Sequence, residues 1–236
     1  MNGLNYFIYN GIDSRTMGVY VGCLDELVFP QLRGDLIEIP GRDGFILDSD
    51  GSYDSYSREI ECVFEETANI PRIAKWLQGM GELILSTDLT KKYEVKIQNN
   101  ISLTSVAIYY RNFVLNLEFQ PWAESVQEYT IQVESDSMEF DIGGTLEVRP
   151  TIEVTGTGDI TLMINDKELH LYDLPENTTI IIDCKYQTMK IGTQNASNYV
   201  GGAMLSEIKL QPTNNEVSIT GNYEDIKFKY RRTDLC

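Results

Sequence analysis

The chain has one histidine in 236 residues and no apolar run long enough to cross a bilayer. With His170 alone, metal centres built from several histidines and two-histidine catalytic sites are excluded. A Ser-His-Asp triad would have to use it, yet His170 alternates with Leu169 and Leu171, the pattern of an outward polar residue on a strand. Cysteine is sparse too: Cys23, Cys62, Cys184 and Cys236 lie far apart without a Cys-x-x-Cys, which predicts reduced thiols and maturation in a cytoplasm. Cys62 alternates with Ile60 and Phe64, a packing pattern. There is no Gly-x-Ser-x-Gly elbow, Walker loop or dinucleotide fingerprint. The opening MNGLNYFIYNG lacks the basic flank, apolar core and cleavage site of a secretion signal. Together these absences predict a non-enzymatic chain with no catalytic residues, metal site, cofactor or membrane insertion.

Positive charge is also in short supply. Lys and Arg number 19 against 36 Asp and Glu, a net charge of −17, and only Lys91-Lys92 and Arg231-Arg232 are adjacent. A nucleic-acid binder presents a basic stripe, so specific nucleic-acid binding is disfavoured. In so acidic a chain a pair such as Glu65-Glu66 says little about glycoside hydrolysis without a cleft. Asp48, Asp50 and Asp54 around Gly51 could offer oxygens to calcium, but the spacing is not that of an EF-hand loop and turn chemistry accounts for them.

What is present is β pattern over most of the length, enough for two domains of ordinary size. In Tyr56 to Glu66, Ile60, Cys62 and Phe64 face one side while Glu59, Glu61 and Glu65 face the other. Phe113, Leu115, Leu117 and Phe119 alternate with Val114, Asn116, Glu118 and Gln120 up to Pro121. One helix interrupts the strands: Asn69 caps it, Pro71 sits in the first turn, and Ile70, Ile73, Ala74 and Leu77 recur at helical spacing before Gly79, with Trp76 beside the stripe. Polar Ser135-Asp136-Ser137 and Gly143-Gly144 place a boundary that divides the chain into domains 1–137 and 138–236. Beyond it, short β runs from Thr151 to Tyr230, including one at Leu205 to Leu210, predict a two-sheet sandwich, with Gly156-Thr157-Gly158 joining two strands.

The most informative stretch is Ile37 to Tyr53, IEIPGRDGFILDSDGSY. Pro40-Gly41 and Asp43-Gly44 supply a fixed φ followed by left-handed positions, so the backbone must reverse tightly there, and Asp50-Gly51 repeats the device.

Four short motifs occur in order: GIDS at Gly11 to Ser14, GVYV at Gly18 to Val21, IPGRDG at Ile39 to Gly44 and FQPW at Phe119 to Trp122. Together they resemble the distal tail protein (Dit) family of long-tailed phages and prophages, and PTIEVTGTGDITLMIN at Pro150 to Asn165 is similar to the start of that family's C-terminal sandwich. The resemblance implies a mainly β fold: an N-terminal β-rich belt domain with one short helix, then a C-terminal galectin-like β-sandwich. It implies a structural protein of the virion tail tip, assembled in the bacterial host cytoplasm as a hexameric ring. Such a hub connects the tail tube to the baseplate or adhesion apparatus and leaves a channel for DNA. Tail tube protein, tape-measure protein, a tail-associated hub or lysin, and receptor-binding or fibre proteins are the implied partners. An acidic surface suits a channel through which DNA slides, although solubility explains the same charge. Pro40, Gly41, Arg42, Asp43, Gly44, Asp50 and Gly51 are the candidate subunit-interface residues, and Trp76 and Trp122 candidate core or interface anchors. The alternative is a carbohydrate-binding module, for which Tyr172, Tyr186, Tyr199, Tyr223 and Tyr230 are available aromatic faces.

Overall fold

A computed structural model describes residues 5–24, 28–65, 68–98 and 112–236. The chain is mainly β and divides into two compact units, Met1–Glu124 with Leu235–Cys236, and Ser125–Asp234.

The N-terminal unit contains β1 (Phe7–Tyr9), β2 (Ile12–Asp13), β3 (Val19–Leu24), β4 (Asp35–Glu38), β5 (Phe45–Asp48), β6 (Tyr56–Phe64), α1 (Ile70–Trp76), β7 (Met80–Leu85), β8 (Asp88–Ile97) and β9 (Asn112–Ser125). Its main sheet runs β2-β1-β7-β8-β9-β6-β3. The alternation read in the sequence sets the register: Ile60 lies opposite Leu115 and Cys62 opposite Phe113, so one face of β6 and β9 is apolar except at Arg58, whose guanidinium lies over the Phe119 ring. That face forms a core with Phe7, Tyr9, Val19, Ile73 and Leu83. Expected strand end Glu66 lies outside the described residues. The helix starts as its sequence predicts, with Asn69 Oδ1 accepting from the Arg72 N–H at 3.2 Å. It is short, and what holds it is burial of Ile73 and Leu77.

In the C-terminal unit, β10 (Tyr129–Gln132) and β11 (Ser137–Phe140) flank the polar Ser135-Asp136-Ser137, and both pair with β17 (Asn215–Tyr230). This is why the division falls at 124/125 and differs from the boundary expected at 137/138: the polar segment is a bend inside the second unit, where the chain passes from β10 to β11 in the same direction along β17. β17 lies against β12 (Thr151–Ile164), which lies against β13 (Lys167–Asp183). Gly156-Thr157-Gly158 therefore sits within one long strand; it does not join two. It is a bend, with register shifts at Gly156, Gly158 and Ile160. On one side of the bend β10 and β14 (Thr188–Ile191) extend the sheet, and β15 (Gln194–Asn195) follows β14; on the other side β11 and β16 (Val200–Gly202) extend it. Ile152 and Val154 from one half share a core with Ile160, Leu162 and Ile164 from the other, so the two sandwich layers are the two halves of the same bent strands. Gly221 permits the bend: its φ is +120°, and a Cβ there would lie 2.4 Å from the Asp159 carbonyl oxygen. The run at Leu205 to Leu210 is a 3-10 turn at Leu205–Glu207 where a strand was expected, and its Leu205, Ile208 and Leu210 are buried at a spacing no flat strand would give.

Candidate functional site

β4 and β5 form a ribbon that pairs with no other strand among the described residues. Asp35 lies opposite Asp48, Leu36 opposite Leu47, Ile37 opposite Ile46 and Glu38 opposite Phe45. At its base Leu32 bridges to Tyr53, the Arg33 N–H donates to the Ser52 carbonyl at 2.8 Å, and Arg33 pairs with Asp54 at 2.7 Å. At its tip the Arg42 N–H donates to the Ile39 carbonyl at 3.1 Å, and Gly41 and Gly44 both have φ of +83°. The Asp50 carboxylate accepts from the Ser52 N–H and hydroxyl, and those bonds hold its pKa below the usual carboxylate value. Turn chemistry alone thus occupies the acidic group that could have suggested a cation site, and among the described residues no metal-ligating cluster occurs.

Every residue from 31 to 48 is exposed. That is ordinary for Arg42 or Asp43 and unusual for what flanks them. Leu36 is 62% and Phe45 64% exposed. Successive strand residues point to opposite faces, so Leu36, Leu47 and Phe45 form one apolar face, while Ile37, Ile46 and Ile39 form the other. A hairpin of this size does not hold together in water on its own ladder, and a contiguous apolar surface on a protein of this charge marks a contact site. The sequence reading found the turns, Pro40 to Gly44 and Asp50-Gly51, which the structure gathers at the tip and base of this ribbon. It missed the apolar side chains between them. The signal was available: Leu36-Ile37 and Phe45-Ile46-Leu47 are unbroken apolar runs, the pattern of a strand covered on both faces.

The other candidates lie elsewhere. Trp76 stacks on Phe7 with ring centroids 5.7 Å apart and donates its indole N–H to the Tyr9 carbonyl at 3.1 Å. Trp122 stands exposed on β9 between buried Pro121 and Ala123. His170 Nδ1 is 3.1 Å from the Thr161 hydroxyl, with Glu168 and the Tyr172 ring as its other neighbours, and makes no triad. Burial pushes the thiols of Cys62 and Cys184 up to about 12, so neither is a thiolate at neutral pH. Among the tyrosines, Tyr230 is buried beside Tyr129, Tyr223 donates to Asp136 at 2.7 Å, and Tyr172 lies over Gly201; Tyr186 is 73% exposed but has no aromatic neighbour among the described residues.

Residues 143–233 match the family described as siphovirus-type tail component, C-terminal domain. The whole chain has the fold of the SPP1 Dit (gp 19.1) protein, whose crystal structure is described as a paradigm of hub adsorption apparatus in Gram-positive-infecting phages. The TM-score is 0.81 at 14% identity, covering 98% of this chain and 99% of that one. No curated protein sequence matches.

Proposed function

We propose, on the premise that this chain belongs to the siphovirus-type distal tail (Dit) family, that it assembles through the β4-β5 ribbon into a hexameric ring at the tail tip. The ring serves as a non-enzymatic hub between the tail tube and the baseplate or adhesion apparatus, and leaves an axial channel for DNA. Tail tube, tape-measure, hub or lysin, and fibre proteins are the neighbours such a hub meets, and the host cytoplasm is where it forms. The single observation that carries this reading is the ribbon with exposed apolar side chains on both faces, which pairs with no other strand among the described residues. Pro40, Gly41, Arg42, Asp43, Gly44, Asp50 and Gly51 act in it as shape-setting residues that fix where the apolar faces stand. The carbohydrate-binding alternative has less behind it, since the tyrosines available to it are mostly buried, bonded or isolated.

Native mass across a concentration series, with electron microscopy of large species, tests the reading. A 26.8 kDa subunit makes a hexamer unmistakable. A six-fold ring lost when Asp35 to Asp48 is replaced by a short Gly-Ser turn supports it. A ring that persists without the ribbon refutes the ribbon's role, and a chain that stays monomeric and enters no tail complex refutes assembly.

A further inference from the structure

The ribbon has charge at a place where charge is costly. Asp35 and Asp48 lie directly opposite each other across the strand pair, like charges on the face that bears Ile37 and Ile46. Elsewhere in the same unit Arg72 and Lys75 sit three residues apart on the solvent side of α1. Among the described residues none of these four side chains has an ion-pair or hydrogen-bond partner, whereas Arg15, Arg33 and Lys92 all have acidic partners. Exposed Pro71 and Met80, the latter 57% exposed, supply apolar surface close in sequence to the two cations.

From this complementarity we infer that the Ile37/Ile46 face of the ribbon docks on the solvent face of α1 in a second copy, with Asp35 and Asp48 meeting Arg72 and Lys75. This deepens the self-assembly reading and rests on it. The spacings agree: opposed strand residues place their Cβ atoms about 4.5–5.5 Å apart, and helix positions i and i+3 about 5–6 Å apart. The apolar parts agree as well, isoleucines against Pro71 and Met80. Charge selects this landing place, because two copies of a chain at −17 repel over most of their surface. Ribbon and helix are different patches, so the contact is head-to-tail, the kind that closes into a ring when the rotation allows. The other face, Leu36, Leu47 and Phe45, meets the rest of that second copy, so both faces of the ribbon are covered in the assembled state.

The test is charge exchange on the full chain, read as native mass against concentration. Arg72→Glu with Lys75→Glu, and separately Asp35→Lys with Asp48→Lys, each raise the concentration of half-assembly at least about tenfold. All four changes together bring it back to within about threefold of the parent. All four positions are exposed, so the thermal midpoint of each variant stays where it was, which separates lost docking from lost folding. If the helix pair assembles like the parent while the Asp35 to Asp48 replacement does not, the partner surface lies elsewhere and only this inference falls. Two lost assemblies without rescue in the combined variant also overturn it. A parent that never assembles, or a ribbon-less chain that still does, overturns the reading beneath it as well.

Discussion

Replacing Leu36 and Phe45 by serine separates what the ribbon does for the fold from what it does for assembly. Both side chains lie on one face, beside Leu47, and nearly two thirds of each is already in water, at 62% and 64% exposure. Full burial of a Leu or Phe side chain is worth about 1.5–3 kcal/mol, so covering what is still exposed contributes about 1–2 kcal/mol each to a contact and about 2–4 kcal/mol for the pair. That corresponds to a shift of roughly 30- to 1000-fold in assembly concentration. The same double change alters the isolated chain by about 0.5 kcal/mol or less, a movement of the thermal midpoint of about 2 °C. Sedimentation equilibrium and calorimetry on the same samples read the two quantities. A midpoint that falls by several degrees with association unchanged would refute the reasoning, because it would mean that these side chains pack within their own chain.

Asn215 is fully buried, donating to the Phe140 and Gln211 carbonyls at 3.2 and 2.7 Å and accepting from the Gln211 N–H at 2.7 Å. Asn215→Ala strands those backbone groups and lowers unfolding stability by about 2–4 kcal/mol, measured by urea titration. Gly221→Val meets a carbonyl oxygen at 2.4 Å where φ is +120°, and leaves little folded C-terminal unit as judged by proteolysis and circular dichroism. Glu118 accepts from Ser55, Ser57 and Gln98, and those bonds hold its pKa below the ordinary 4.5. Because the folded value is the lower one, its stabilisation is present above the ordinary value and is lost as pH falls through the folded one. Glu118→Gln therefore flattens the acid limb of stability below about pH 4.5, seen in thermal midpoints from pH 7 to 3. Alkylation at pH 8 modifies exposed Cys23 while Cys62 and Cys184 react only after unfolding; prompt labelling of either would contradict their burial.

The sequence was a good guide wherever one residue pattern had one structural meaning. Alternation around Ile60 and Leu115 has no other reading than a strand with one buried face, and Asn69 before Pro71 no better one than a helix start. It misled where a pattern has two meanings. Gly-Thr-Gly at 156–158 is equally a turn and a bend, and only the partners of β12 on both sides of it decide. Ser135-Asp136-Ser137 is equally a linker and a bend between two edge strands, decided by β17. The ribbon was half legible: its turns are written in Pro40, Gly41 and Gly44, but Leu36-Ile37 and Phe45-Ile46-Leu47 say only that both faces are to be covered, not by what. Arg72 and Lys75 left no mark, because lone cations on a helix are ordinary until the fold shows them exposed and unpaired among the described residues.

The N-terminal unit also holds residues 235 and 236, with the Cys236 N–H donating to the Pro121 carbonyl and its side chain lying against the core that includes Tyr56. Order of synthesis and order of completion are therefore reversed. A ribosome releases the ribbon early, yet the body that carries it lacks residues 235 and 236 until the whole intervening unit has been made, so the earlier unit is completed only after the later one.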